Sequence, residues 1–247
     1  MSWSRPACDV VVLSADAESG ACSVLLHYPP GWSATVCLSC DEELFVLSGD
    51  LRIGATDYAR GDYAYWPARC ARGLMSSNAG CTALTFFEGR PLPTAPADYD
   101  RGALTEKLAT SAMEWSPPSD ATLEAGRVGR KVLKPTEQSG GRTWLLKIDA
   151  TAGDPFEIRG VERHPCVEEM FLLDGDMAMT CGTMLAGDYF WRPPMIPHGP
   201  MGTQHGFLGF FRAKEGVFDT EWSVTEDPIP WDAPYSPTLP GESPIPR

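Results

Sequence analysis

One phrase occurs twice in this chain. Residues 38–50 read LSCDEELFVLSGD and residues 164–176 read HPCVEEMFLLDGD, sharing Cys, Glu-Glu, Phe, an apolar pair, Gly and Asp in register. The agreement continues at one constant offset. Glu42, Gly49, Gly61, Asp62, Tyr63 and Pro67 are matched by Glu168, Gly175, Gly187, Asp188, Tyr189 and Pro193. Self-similarity on this scale means that a single structural unit is used twice. The copies differ at their first residue, Leu38 in one and His164 in the other.

The unit is built of strands. Twenty-four glycines and 23 prolines punctuate the chain, and the segments between them are short and rich in β-branched and aromatic residues. DVVVLSA, CSVLLHY, ELFVLSG, DYAYWPA and TALTFFEG fill the first half; TWLLKIDA, EMFLLDG, MAMTCGTM, DYFWRPP and GFLGFFRA fill the second. The pattern predicts an all-β fold of two tandem jelly-roll barrels, because closing or doubling a sheet protects its edges. Residues 1–110 form the first barrel and residues 111–247 the second. ADYDRGALTEKLATSAMEW, residues 97–115, reads as a short helical linker, with SAMEWSPPSD running out of it.

Composition removes several functions. Thirty-three acidic against 20 basic residues leave a formal charge of −13, which repels nucleic-acid backbones and anionic membrane surfaces. No apolar run is long enough to span a bilayer, and the first residues lack the pattern of a signal peptide, so the expected location is the cytoplasm. There the eight cysteines are expected as reduced thiols. Cys37 and Cys40 form a C-x-x-C, but no second pair follows at zinc-ribbon spacing.

The second copy resembles the cupin superfamily, whose motifs are G-x5-H-x-H-x3,4-E-x6-G and G-x5-P-x-G-x2-H-x3-N. His164-x3-Glu168-x6-Gly175 follows the latter part of the first motif. Gly187-x5-Pro193-x-Met195-x2-His198 follows the second, with Met195 at its second glycine and Gly202 at its asparagine. The whole chain looks like a bicupin, similar to ChrR-like two-cupin proteins. The resemblance implies one divalent metal ion on His164, Glu168 and His198, with Fe(II) favoured and Zn, Mn or Ni also compatible. Two imidazoles and a carboxylate on separate strands suit such an ion and leave positions open for substrate. The competing reading makes each histidine a satisfied polar residue inside a barrel; clustering with a carboxylate at ligand spacing favours the metal.

Where the family has its first histidine this chain has Glu162. Residues two apart on a strand share a face, so Glu162 points with His164. Three roles are open to it: a further ligand, a catalytic group that removes a substrate proton, or a solvated rim residue. Glu169 is expected on the opposite face, toward solvent or a neighbouring strand. The first copy has Val36, Leu38, Glu42 and Arg72 at the four ligand positions. A guanidinium cannot ligate a cation, so Arg72 is expected to pair with Glu42, or else to hold an anionic ligand. The remaining candidates have plainer readings. His27 and His205 read as strand-end residues, Cys166, Phe171, Tyr189 and Trp191 as packing residues, and Arg192 as a solvated or ion-paired one that a substrate carboxylate would also suit.

The function these residues point to is an Fe(II)-type dioxygenase acting on a small organic substrate in the second barrel. The alternatives are a non-redox lyase, isomerase or hydrolase using the metal as a Lewis acid, and a zinc-binding sensor module of the ChrR kind. The expected partner is a small-molecule substrate, and homodimers are common in the superfamily. Anti-sigma factors of the ChrR kind carry a helical domain ahead of the cupin, whereas strands are expected here from about residue 9.

Overall fold

The computed structural model describes residues 7–117, 126–135 and 142–237. The described residues fall into two units that divide between Met113 and Glu114. The first contains strands β1 (Asp9–Ala15), β2 (Cys22–Tyr28), β3 (Trp32–Thr35), β4 (Glu42–Gly49), β5 (Leu51–Ile53), β6 (Thr56–Tyr58), β7 (Asp62–Trp66), β8 (Leu74–Ser77), β9 (Cys81–Phe87) and β10 (Thr105–Ala109). They form one sheet in the order β1-β2-β9-β4-β7-β10 and another in the order β3-β8-β5-β6.

The second unit contains β11 (Val128–Lys134), β12 (Arg142–Ile148), β13 (Phe156–Ile158), β14 (Gly160–Arg163), β15 (Val167–Met179), β16 (Gly182–Leu185), β17 (Tyr189–Arg192), β18 (Met201–Thr203), β19 (Phe207–Lys214) and β20 (Glu221–Val224). Its larger sheet runs β11-β12-β19-β15-β18-β13, with β16 and β17 also paired to β15, and β14 pairs with β20. Every pairing is antiparallel. Nine of the ten segments read as strand from sequence each overlap one of these strands, and the tenth, MAMTCGTM, spans the end of β15, a turn and the start of β16. Among the described residues no helix is long and apolar enough to cross a membrane.

The repeated residues explain the shared architecture. Gly49 and Gly175 have φ of 81° and 85°, and a Cβ at either would overlap the carbonyl oxygen of Gly80 or Gly206 respectively. Only glycine combines this backbone with that approach. The aspartate that follows then fixes the neighbouring loop. Asp50 accepts the backbone N–H groups of Asn78 and Ala79 at 2.9 and 2.8 Å, and these bonds hold its carboxyl below the usual range. Asp176 accepts those of Gln204 and His205 at 3.2 and 3.1 Å. The two cores differ in material: the second is rich in methionine, with Met170, Met177, Met179, Met184 and Met201 buried, side chains that fill irregular space readily.

Two expectations are corrected. The helix over residues 97–115 does not form: its centre is strand β10, followed by a three-residue 3-10 turn at Thr110–Ala112. Thr105, Leu108 and Ala109 pair with Tyr65, Tyr63 and Asp62, and Lys107 lies 2.9 Å from Asp62, so cross-strand partners override the helix propensity of Glu-Lys-Leu-Ala. Trp191 is exposed, on the outward side of its strand. Of the two places expected for Glu169, it takes the neighbouring strands rather than solvent. It is buried, paired with Arg212 at 2.9 Å and hydrogen-bonded by Tyr189 at 2.6 Å. His205 lies at a strand end, as expected, exposed and with its Nδ1 2.9 Å from an Asp176 carboxylate oxygen.

Candidate metal centre

The site assembles where β14 gives way to β15. Glu162 lies on β14 and His164 just past its end; Glu168 is the second residue of β15; His198 lies in the loop between β17 and β18. An isolated antiparallel bridge ties this loop to β14. The Glu162 N–H donates to the His198 carbonyl at 2.8 Å and the His198 N–H donates to the Glu162 carbonyl at 2.9 Å. The loop turns at Met195, a left-handed residue (φ 65°) at the place of the family's glycine, whose N–H donates to the His164 carbonyl at 2.7 Å. The family's asparagine is absent for a steric reason. A Cβ at Gly202 would meet the Phe156 carbonyl oxygen at 2.9 Å and Ile229 at 3.0 Å.

The imidazoles are oriented by main chain. His164 Nδ1 is 3.0 Å from the Asp219 carbonyl oxygen and His198 Nδ1 is 3.0 Å from that of Ile196. A carbonyl only accepts, so each Nδ1 carries the hydrogen and each Nε2 presents a lone pair. Both Nε2 atoms are buried and make no hydrogen bond. The ring of His164 also stacks on Phe218, with centroids 4.2 Å apart.

Carboxylates face these lone pairs. Glu162 lies 3.3 Å from His198 Nε2 and 3.9 Å from His164 Nε2. Glu168 lies 3.6 and 3.9 Å from the same two atoms. One ligand atom each from Glu162, His164 and His198 falls within a 4.8 Å group. Glu168 has a further partner: Arg192, its register partner on β17, donates from Nη1 to Oε2 at 3.0 Å. Two buried, unbonded imidazole nitrogens facing carboxylate oxygens fit a divalent first-row ion. All four residues singled out from sequence are thus neighbours; Glu162 stands closer than Glu168 to His198 and at the same distance from His164, and no Lys or Arg among the described residues pairs with it.

A cavity of about 360 Å³ adjoins the cluster, with Glu162, Glu168 and Arg192 in its wall. Most of the rest is apolar: Trp144, Leu146, Phe190, Phe207, Phe211 and Trp222. Arg192 lies 3.7 Å from the centroid of Phe190. A second guanidinium, Arg130 on β11, also lines the space. Its Nε is buried without a hydrogen bond, and burial pushes the group down from its ordinary value. Sequence reasoning missed Arg130 altogether and did not connect Arg192 with Glu168. The one available signal was an arginine between Val128 and Val132 on the same face of a strand.

The first unit repeats the frame with other side chains. Arg69 is left-handed (φ 65°), and its N–H donates to the Leu38 carbonyl at 2.7 Å, matching Met195 and His164. Arg72 forms a buried ion pair with Glu42, as the sequence suggested, and lies 5.4 Å from the centroid of Trp66. The C-x-x-C beside it shows no activated thiol: burial raises Cys37 and pushes Cys40 up to about 12.

Residues 105–215 match the family model described as the ChrR Cupin-like domain. No curated protein matches the sequence. Among solved structures, a candidate dioxygenase from Nostoc punctiforme is similar at 20% identity and a TM-score of 0.75, covering 86% of this chain and 76% of its own. The oxalate decarboxylase of Bacillus subtilis, a protein with Mn(II) centres, is similar at 12% identity and a TM-score of 0.56, covering 86% of this chain and 77% of its own. The fold is therefore the one these solved structures share, and residues 105–215 match the ChrR Cupin-like domain model.

Proposed function

We propose that the second unit is a metal-dependent cupin enzyme of the dioxygenase type, with Fe(II) as its resident ion and a small organic substrate in the 360 Å³ cavity. The first unit is then a second cupin domain, making the chain a bicupin in which the Arg72–Glu42 pair has replaced one metal site. The observation that carries this reading is the pair of buried, unbonded Nε2 atoms on His164 and His198 beside Glu162 and Glu168. Those four side chains would hold the ion. Bound there, a divalent metal supplies Lewis acidity, and iron adds redox chemistry with dioxygen.

The protein's own groups do the rest. The Asp219 and Ile196 carbonyls hold both imidazoles in the ligating tautomer. Glu168 keeps one oxygen on Arg192 and has the other free. Glu162, at 3.3 Å from His198 Nε2, is placed to ligate; when not ligating it is the carboxylate in the cavity wall that takes a substrate proton. The aromatic walls exclude water from the substrate.

Elemental analysis of anaerobically purified protein, followed by oxygen-electrode measurements with a panel of small organic compounds, tests the reading. It expects one iron per chain and oxygen uptake with at least one compound. A protein that neither retains nor takes up Fe(II), Mn(II) or Zn(II) overturns it. The ChrR match favours one further reading, a zinc-holding module, which predicts stoichiometric zinc and no oxygen uptake.

A further inference from the structure

Arg130 is a cation without a counter-charge. It stands on β11 opposite Leu146, and both line the apolar cavity. No acidic side chain among the described residues pairs with it, and its buried Nε has no acceptor. The other guanidinium in the wall, Arg192, is already committed to Glu168. Arg130 is half-buried, and holding an unpaired charge even partly out of water carries a cost. The same face of β11 carries Val128 and Val132, so an aliphatic residue would suit position 130 as a wall.

With a divalent ion on the imidazoles, the ion, Arg192 and Arg130 bring four positive charges against three negative ones from Glu162, Glu168 and Asp219 in the wall, and one positive charge is left over. An anion completes the site. A guanidinium offers parallel N–H donors to a carboxylate, while the single free arginine and the aromatic lining are poor surroundings for a phosphate dianion.

We propose that Arg130 anchors the carboxylate of a small, largely apolar organic acid, whose body packs against Trp144, Phe190 and Phe211. Arg130 is then a substrate-binding residue, and the ligand class is a monocarboxylate with an aromatic or aliphatic body. The volume, about 360 Å³, lies at the small end of the roughly 300–1,000 Å³ usual for small-molecule sites. The proposal rests on the reading of this cavity as a substrate site and narrows it.

Isothermal titration of the full-length protein, chelator-treated and Mn(II)-loaded, with benzoate and 3-phenylpropanoate and with their amides, provides the test. At least one acid is expected to bind about 10-fold or more tightly than its amide, the worth of a charge-assisted hydrogen bond. Arg130→Met should erase that preference, leave metal content unchanged and not lower the melting temperature. Arg130→Lys, which keeps the charge and loses the fork, should retain part of it, and decides the matter should the methionine variant fail to fold. Equal binding of acids and amides, or a preference untouched in both variants, overturns the proposal. A preference seen only with Mn(II) that survives Arg130→Met makes the metal the anchor: it overturns this inference and supports the metal site. Carboxylate preference that depends on Arg130 in a protein unable to bind metal supports the anchor and overturns the metal reading.

Discussion

Glu168 and Arg192 stand directly opposite one another on neighbouring strands, with Nη1 3.0 Å from Oε2. The equivalent carboxylate, Glu42, also pairs with an arginine, but with Arg72, which occupies the chain position of His198. Trp66 stands where Arg192 would be. A buried carboxylate needs a cation, and the two copies supply one from different places. In the first copy the arginine takes a ligand position. In the second it approaches along the sheet and leaves the ligand position to histidine.

This arrangement makes Arg192 a competitor for Glu168. Arg192→Met should destabilise the metal-free protein by about 3 kcal/mol, since it strands a buried carboxylate, and should tighten Mn(II) binding, since both oxygens become available. Thermal melts with Mn(II) and with chelator measure both effects; equal destabilisation in the two conditions contradicts any contact between Glu168 and the metal.

The two imidazoles should be indispensable to metal retention. His164→Ala or His198→Ala is expected to weaken metal binding by ~100-fold or more, exceeding the 10–100-fold typical of losing an outer partner. Metal analysis after dialysis gives the answer, and unchanged content in both variants would remove the site.

In the first unit, Arg72→Ala should cost about 3–5 kcal/mol in that unit, because both side chains are essentially fully buried. Metal content should not change. The double variant Arg72→Met with Glu42→Leu, which removes both charges, should recover most of the loss, as followed by chemical denaturation.

Alkaline pH should weaken the first unit through its thiols. Burial pushes Cys40 and Cys81 up to about 12, above the ordinary thiol value of about 8.5. The folded form therefore keeps protons that the unfolded chain gives up. Their contribution is intact below pH ~8.5 and is lost toward pH 12, at about 1.4 kcal/mol per pH unit and thiol where the two states differ by a full proton. Denaturation midpoints from pH 8 to 11 should fall, and Cys40→Ser with Cys81→Ala should flatten the fall. A midpoint independent of pH would contradict it.

The strands and the location of the site were legible because both depend on local pattern. Gly49 with Asp50 and Gly175 with Asp176 announce a turn whose geometry admits few other residues. The spacing of His164, Glu168 and His198 announces residues that the fold brings together. What stayed hidden depends on neighbours distant in sequence. The segment Thr105–Ala109 looks helical until Tyr63 and Tyr65 present a strand to pair with. Glu169 is open between solvent and a neighbouring strand until Arg212 and Tyr189 arrive from two other strands. Arg130 has no motif at all; it becomes conspicuous only when β12 and β19 wall it in with aromatic side chains.

The carbonyls behind His164 and His198 carry a consequence for mutational tolerance. Orientation of the imidazoles comes from the main chain at Asp219 and Ile196, and all twenty amino acids possess that oxygen. Substitution at either position can drift without resetting a tautomer, so long as the backbone path holds. The supporting layer of this centre should therefore leave little imprint on diverging sequences, which would vary freely at 196 and 219 around an unchanged pair of histidines.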